Sequence, residues 1–126
     1  MGAFAVPMIV YAPGTDLKGY NDTTVVQQCD ILPTVLALLG YEKPFVTYGH
    51  NMFSPSEEHF AVTYFNGAFQ ITEGDYFLQF ANEKVIALYN YKDDPLLQQN
   101  LAGQLPEVEK GLEAQSGASA VCRRYA

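Results

Sequence analysis

The stretch FAVTYFNGAFQITEGDYFLQFANEKVIALYNY, residues 60–91, decides the fold class because its apolar side chains recur with a period of two. Successive side chains of a β-strand point to opposite faces, so this period predicts half-buried strands. Turn dipeptides divide the stretch at three places: Asn66-Gly67, Gly74-Asp75 and Asn82-Glu83. Asn-Gly in particular favours a two-residue hairpin, so we predict four strands that pair antiparallel in a meander.

Two segments before the meander have the pattern of a strand and of a helix. Residues 5–11 form a short apolar run that is followed by Pro13 and Gly14, which predicts a buried strand ending in a turn. Asp30 is a candidate N-cap for a helix that tolerates Pro33 in its first turn and ends at Gly40. Apolar residues surround most of that helix, so we expect it to be buried on most sides.

After the meander, Asp93-Asp94-Pro95 predicts the end of the sheet, and Pro106-Glu107 predicts the start of a C-terminal helix. The predicted organisation is therefore residues 1–58, with a strand and a buried helix, followed by residues 59–126, with an antiparallel sheet and a C-terminal helix.

Composition limits the classes of partner. The chain has 126 residues, of which 48% are hydrophobic and 17% charged, so it has enough apolar surface to fold. Its formal net charge of −7 repels a phosphate backbone, and we expect no nucleic-acid partner. Its apolar runs fall short of the roughly 18–20 residues that a membrane-spanning helix requires, so we expect no membrane segment.

Candidate catalytic residues are few. A metal site of two histidines and a glutamate can be drawn from His50, Glu57, Glu58 and His59, but their spacing fits no helical ligand motif. We therefore interpret these four as surface side chains, and we predict no catalytic, cofactor-binding or metal-binding residue in this chain.

Carboxylates and thiols do not change that prediction. Asp93 and Asp94 precede a proline and are interpreted, like Glu83, as turn residues. Cys29 and Cys122 lie far apart without a metal-binding or redox motif, and whether they pair stays open.

Aromatic residues of the predicted sheet are interpreted as packing residues, with a ligand groove as the alternative. The set consists of Phe60, Tyr64, Phe65, Phe69, Tyr76, Phe77, Phe80, Tyr89 and Tyr91.

Two segments together carry a family resemblance: VPMIVYAPG at residues 6–14 and QCDILPTVLALLG at residues 28–40. They resemble the sulfatase-like branch of the alkaline phosphatase superfamily, which includes sulfatases and lipoteichoic acid synthase-like phosphoglycerol transferases. YGHNMF at 48–53, ALYNYKDDP at 87–95 and NLA at 100–102 resemble later parts of the same family. The resemblance thus spans nearly the whole chain.

The resemblance implies the C-terminal part of a metal-dependent enzyme that attacks a sulfate or phosphate ester through a covalent intermediate. It also implies an alkaline phosphatase-like fold in which residues 1–58 are the end of the main α/β domain. It places the nucleophile and the Asp-His pair of the divalent metal centre before these residues, and gives Asp30, Pro33 and Thr34 structural positions. It also implies an extracytoplasmic or membrane-anchored full-length protein. Expected partners are the N-terminal catalytic part or a second copy bound through exposed apolar surface. The alternative from another class is a free-standing α+β module that binds a ligand or a protein.

Overall fold

A computed structural model describes residues 6–55, 59–82 and 84–115. Within them the fold is α+β. Its elements in chain order are a 3-10 turn at Gln28–Asp30, helix α1 at Ile31–Leu38, strands β1 at Phe60–Phe65, β2 at Ala68–Glu73, β3 at Tyr76–Ala81 and β4 at Lys84–Asn90, and helix α2 at Pro106–Gln115. The predicted meander and the predicted C-terminal helix are confirmed.

The sheet has the order β1-β2-β3-β4, and each neighbouring pair is antiparallel. Asn66 and Gly67, which join β1 to β2, both have positive φ angles, of 51° and 80°. Positive φ at both central residues is what a type I′ hairpin requires, and this explains why the Asn-Gly dipeptide marks the turn. A register shift between Gln79 and Phe80 interrupts the otherwise regular β3–β4 pairing.

One face of the sheet forms the core. The register places Ile71 opposite Leu78 and Leu78 opposite Leu88, and all three side chains are fully buried. Phe80 and Leu112 of α2 complete this cluster. Burying a side chain of this size stabilises a fold by about 1.5–3 kcal/mol, so α2 and the sheet hold each other in place.

The outer edge of β4 is closed by the segment that follows it. The backbone N–H of Leu101 donates to the carbonyl of Leu88 at 2.7 Å, and the side-chain oxygen of Asn100 accepts from the Leu88 N–H at 3.1 Å. An unpaired strand edge is a site for pairing with other chains. Here Asn100 and Leu101 satisfy the backbone N–H and carbonyl of Leu88 on that edge.

Helix α1 ends as predicted. Gly40 has a φ of 66°, its N–H donates to the carbonyl of Ala37, and the Tyr41 N–H donates to that of Leu36. This pair of bonds is the Schellman motif, which needs a left-handed residue that glycine adopts without strain. Pro33 lies in the first turn, where a missing N–H removes no intrahelical bond.

Two expectations about the residues before the meander are not met within the described chain. Residues 6–11 form no strand, because none of the described residues pairs with their backbone, and Val6, Ile9 and Tyr11 are exposed. Helix α1 is not buried on most sides. Only Pro33 and Thr34 are buried in it, whereas Ile31, Leu32, Val35 and Leu38 are exposed.

No described helix is long and apolar enough to cross a membrane. The alkaline phosphatase-like architecture and the division at residues 58 and 59 stay predictions.

Candidate functional site

The start of α1 is fixed by the buried carboxylate of Asp30, whose exposed fraction is 2%. One of its oxygens accepts from the backbone N–H of Gln27 at 2.9 Å, and the other accepts from that of His50 at 2.8 Å. Hydrogen bonds to a charged acceptor are stronger than neutral ones, so both bonds hold the loop before the helix and the loop after it together.

Asp30 occupies the N-cap position of α1 as expected, but the capping bond that was expected from its side chain is not formed. The 3-10 turn at Gln28–Asp30 extends the helical region backwards, and Asp30 itself has helical angles of −76° and −16°. Its carboxylate consequently reaches back to Gln27 and across to His50, and makes no capping bond to the first turn of α1. We call the contacts of Gln27, Asp30 and Thr34 with residues 49–52 and Val62 the α1 junction.

Thr34 makes the second contact of the α1 junction. Its hydroxyl donates to the carbonyl of Asp30 at 2.6 Å and accepts from the backbone N–H of Met52 at 3.0 Å. The side chain is fully buried in this arrangement. The hydroxyl therefore uses both its donor and its acceptor capacity on backbone groups.

Gly49 allows the loop to approach the helix closely. A Cβ atom at this position would lie 2.1 Å from the carbonyl oxygen of Cys29, a distance that no real Cβ adopts. Sequence reasoning did not identify Gly49 as a contact residue. The only signal was a glycine beside His50, and nothing local indicates what it would meet.

Gln27 connects the α1 junction to the sheet. Its side-chain oxygen accepts from the backbone N–H of Val62 in β1 at 3.1 Å. This contact spans 35 residues and was also missed, because a glutamine before a helix has no distinctive pattern.

The two histidines of the drawn metal site make separate contacts. The ring of His50 packs edge-on against that of Phe60 with 5.4 Å between centroids. Nε2 of His59 lies 2.9 Å from the carbonyl oxygen of Ser54, and because a carbonyl only accepts, Nε2 carries the proton. Nδ1 of His59 is buried and has no hydrogen-bond partner among the residues that the structure describes. Glu57 and Glu58 lie outside the described residues.

The residues that the structure describes contain no group of three His, Cys, Asp or Glu side chains that fits a metal ion.

The acidic candidates after β4 stabilise a turn, as predicted. Asp93 accepts from the side-chain amide of Asn90 at 2.7 Å, and Asp94 accepts from the backbone N–H of Gln99 at the same distance. Glu83 lies outside the described residues.

Cys29 is an exposed residue next to Asp30. Partial burial of its thiol, and secondly the negative charge of Asp30, raise the pKa of Cys29 above its ordinary value. Both causes disfavour the thiolate, which is the nucleophilic form. The environment of Cys29 is thus the opposite of the one that activates a catalytic cysteine. Cys122 lies outside the described residues.

Aromatic residues of the sheet divide between packing and exposure. Phe77 is buried and stacks on Tyr89 with 6.4 Å between ring centroids, and Phe80 belongs to the core. Tyr64 and Phe65, at the end of β1, are exposed. The predicted packing role fits Phe77, Tyr89 and Phe80.

An apolar groove of about 260 Å³ separates residues 8–11 from α1. Met8, Ile9, Val10 and Tyr11 line one wall, and the remaining lining residues are Ile31, Thr34, Val35, Leu38 and Met52. Leu32 and Leu39, also of this region, are exposed. Large contiguous apolar patches mark interaction sites in soluble proteins, so this groove is the main candidate for contact with another surface.

The described side chains thus assemble a structural junction and an apolar groove rather than a set of reacting groups. Carboxylate, hydroxyl and amide functions of the α1 junction are directed at backbone atoms. In comparisons with known proteins, no family model matches this chain and no curated protein shows significant similarity to it.

Proposed function

We propose that this chain is the C-terminal part of a sulfatase-like, metal-dependent enzyme, either a sulfuric ester hydrolase or a phosphoglycerol transferase. In this role residues 1–58 complete the main α/β domain, and residues 59–126, with the meander and the C-terminal helix, form a small subdomain. The chain supports the enzyme structurally and contributes to one wall of its cleft. The nucleophile and the divalent metal ligands come from the rest of the enzyme.

One observation carries this proposal. The two segments that resemble the family, residues 6–14 and 28–40, are those whose apolar side chains remain exposed around the groove. The meander, in contrast, buries its own core beneath α2. An apolar segment that pairs with no described strand and a helix with exposed leucine, isoleucine and valine side chains are the parts that a larger α/β domain would cover, because the strands of a parallel sheet are buried on both faces.

The α1 junction supports the same reading. Burying a carboxylate is costly unless hydrogen bonds satisfy it, and Asp30 has two such bonds to backbone N–H groups. These bonds fix α1 relative to the loop at residues 49–52 even though much of the helix surface is uncovered. A surface held in a fixed shape is suited to docking against a preformed partner.

The test is an assay of hydrolysis with 4-nitrophenyl sulfate and 4-nitrophenyl phosphate in the presence of Mg²⁺, Ca²⁺ or Mn²⁺. We expect no turnover by the isolated chain. We expect the product of the complete reading frame that contains these residues to hydrolyse one of the esters and to lose that activity with EDTA. Metal-dependent turnover by the pure isolated chain, or a reading frame without an upstream Asp-His pair and nucleophile, would contradict the proposal.

A second candidate function is a free-standing module that binds a ligand or a protein. The observation in its favour is that the sheet and α2 share a core of their own, while Tyr64 and Phe65 stay exposed at one end of β1. A compact monomer that binds no apolar dye would favour this alternative, because the groove beside α1 would then have to be covered within the chain.

A further inference from the structure

We draw no further inference here: the strongest candidate, the apolar groove between residues 8–11 and helix α1, belongs to the surface that the proposed function already assigns to the rest of the enzyme, and nothing in the described part of the chain shows what else covers it.

Discussion

The carboxylate of Asp30 accepts a hydrogen bond from the backbone N–H of His50 at 2.8 Å, across 20 residues of chain. Together with its bond to the N–H of Gln27, this contact satisfies a side chain that has almost no access to solvent. The Asp30 carboxylate therefore joins α1 to the loop at residues 49–52, together with the Thr34 hydroxyl that accepts from the Met52 N–H.

Replacing Asp30 by alanine should leave the N–H groups of Gln27 and His50 without their acceptor. Losing the partner of a buried polar group costs about 1–3 kcal/mol, more for charged groups, so we expect the free energy of unfolding to fall by at least that much. Asp30→Asn keeps one acceptor oxygen, so its free energy of unfolding should lie between that of the parent chain and that of Asp30→Ala. Urea unfolding followed by circular dichroism measures the change.

The control for this prediction is Asp16→Ala, which removes a carboxylate from an exposed loop residue. Substitutions at such positions usually change stability by less than about 0.5 kcal/mol. Equal midpoints for Asp30→Ala and Asp16→Ala would show that the buried carboxylate contributes nothing to stability.

Gly49 and Gly111 should respond to alanine in opposite directions. At Gly49 the new Cβ would meet the backbone of Cys29 at 2.1 Å, so the loop must move, and overpacking of this kind costs about 1–3 kcal/mol or more. At Gly111, inside α2, nothing lies within 4 Å of the new Cβ. Alanine there should stabilise the helix by about 0.5–1 kcal/mol.

Chemical denaturation of both variants beside the parent chain measures these effects. Each variant serves as a control for the other, because both add the same methyl group and differ only in its position. Similar destabilisation by the two substitutions would contradict the close approach of residue 49 to the start of α1.

The apolar face around the groove should bind a fluorescent apolar dye. Ile9 and Ile31 line the groove and are 91% and 46% exposed, so Ile9→Asp and Ile31→Glu should reduce dye fluorescence while changing stability by less than about 0.5 kcal/mol. Leu96→Glu is the matched control, since Leu96 is 77% exposed but does not line the groove. An equal loss of fluorescence in all three variants would place the dye elsewhere.

Alkylation of Cys29 should require a more alkaline pH than that of an ordinary thiol. Burial and the charge of Asp30 both raise the pKa of Cys29, so the thiolate forms late. In a Cys122→Ser background, the rate of reaction with iodoacetamide against pH should have its midpoint above the ordinary value of 9.0. Asp30→Asn should lower that midpoint, because it removes the second cause. If Asp30→Asn left the midpoint unchanged, the charge of Asp30 would not contribute to the raised pKa of Cys29.

The same raised pKa has a consequence for stability. A group that binds its proton more tightly in the folded chain stabilises the fold fully below its unfolded pKa. That contribution is lost as the pH rises through the folded pKa. For Cys29 the loss therefore occurs at alkaline pH. A Cys29→Ser variant should show a smaller decline in the free energy of unfolding above pH 9.0 than the parent chain does.

Local sequence patterns determined the meander, its turns, the stop of α1 and helix α2. The Asn66-Gly67 turn and the left-handed Gly40 are conformations of single residues, and the alternation over residues 60–91 follows from the pleat of each strand. These features depend on neighbours a few residues away, so the sequence contains the information for them directly.

Only the tertiary structure decided the roles of Asp30, Gly49 and Asn100. Asp30 looks like an N-cap in the sequence, but its acceptor positions are used by Gln27 and by a loop 20 residues further on. The sequence also did not predict that residues 6–11 are exposed. An apolar run indicates what a segment prefers to contact, but it does not specify whether a partner is present. The sequence therefore determined the elements, whereas contacts between distant residues decided which of their surfaces are satisfied within the described chain and which remain open.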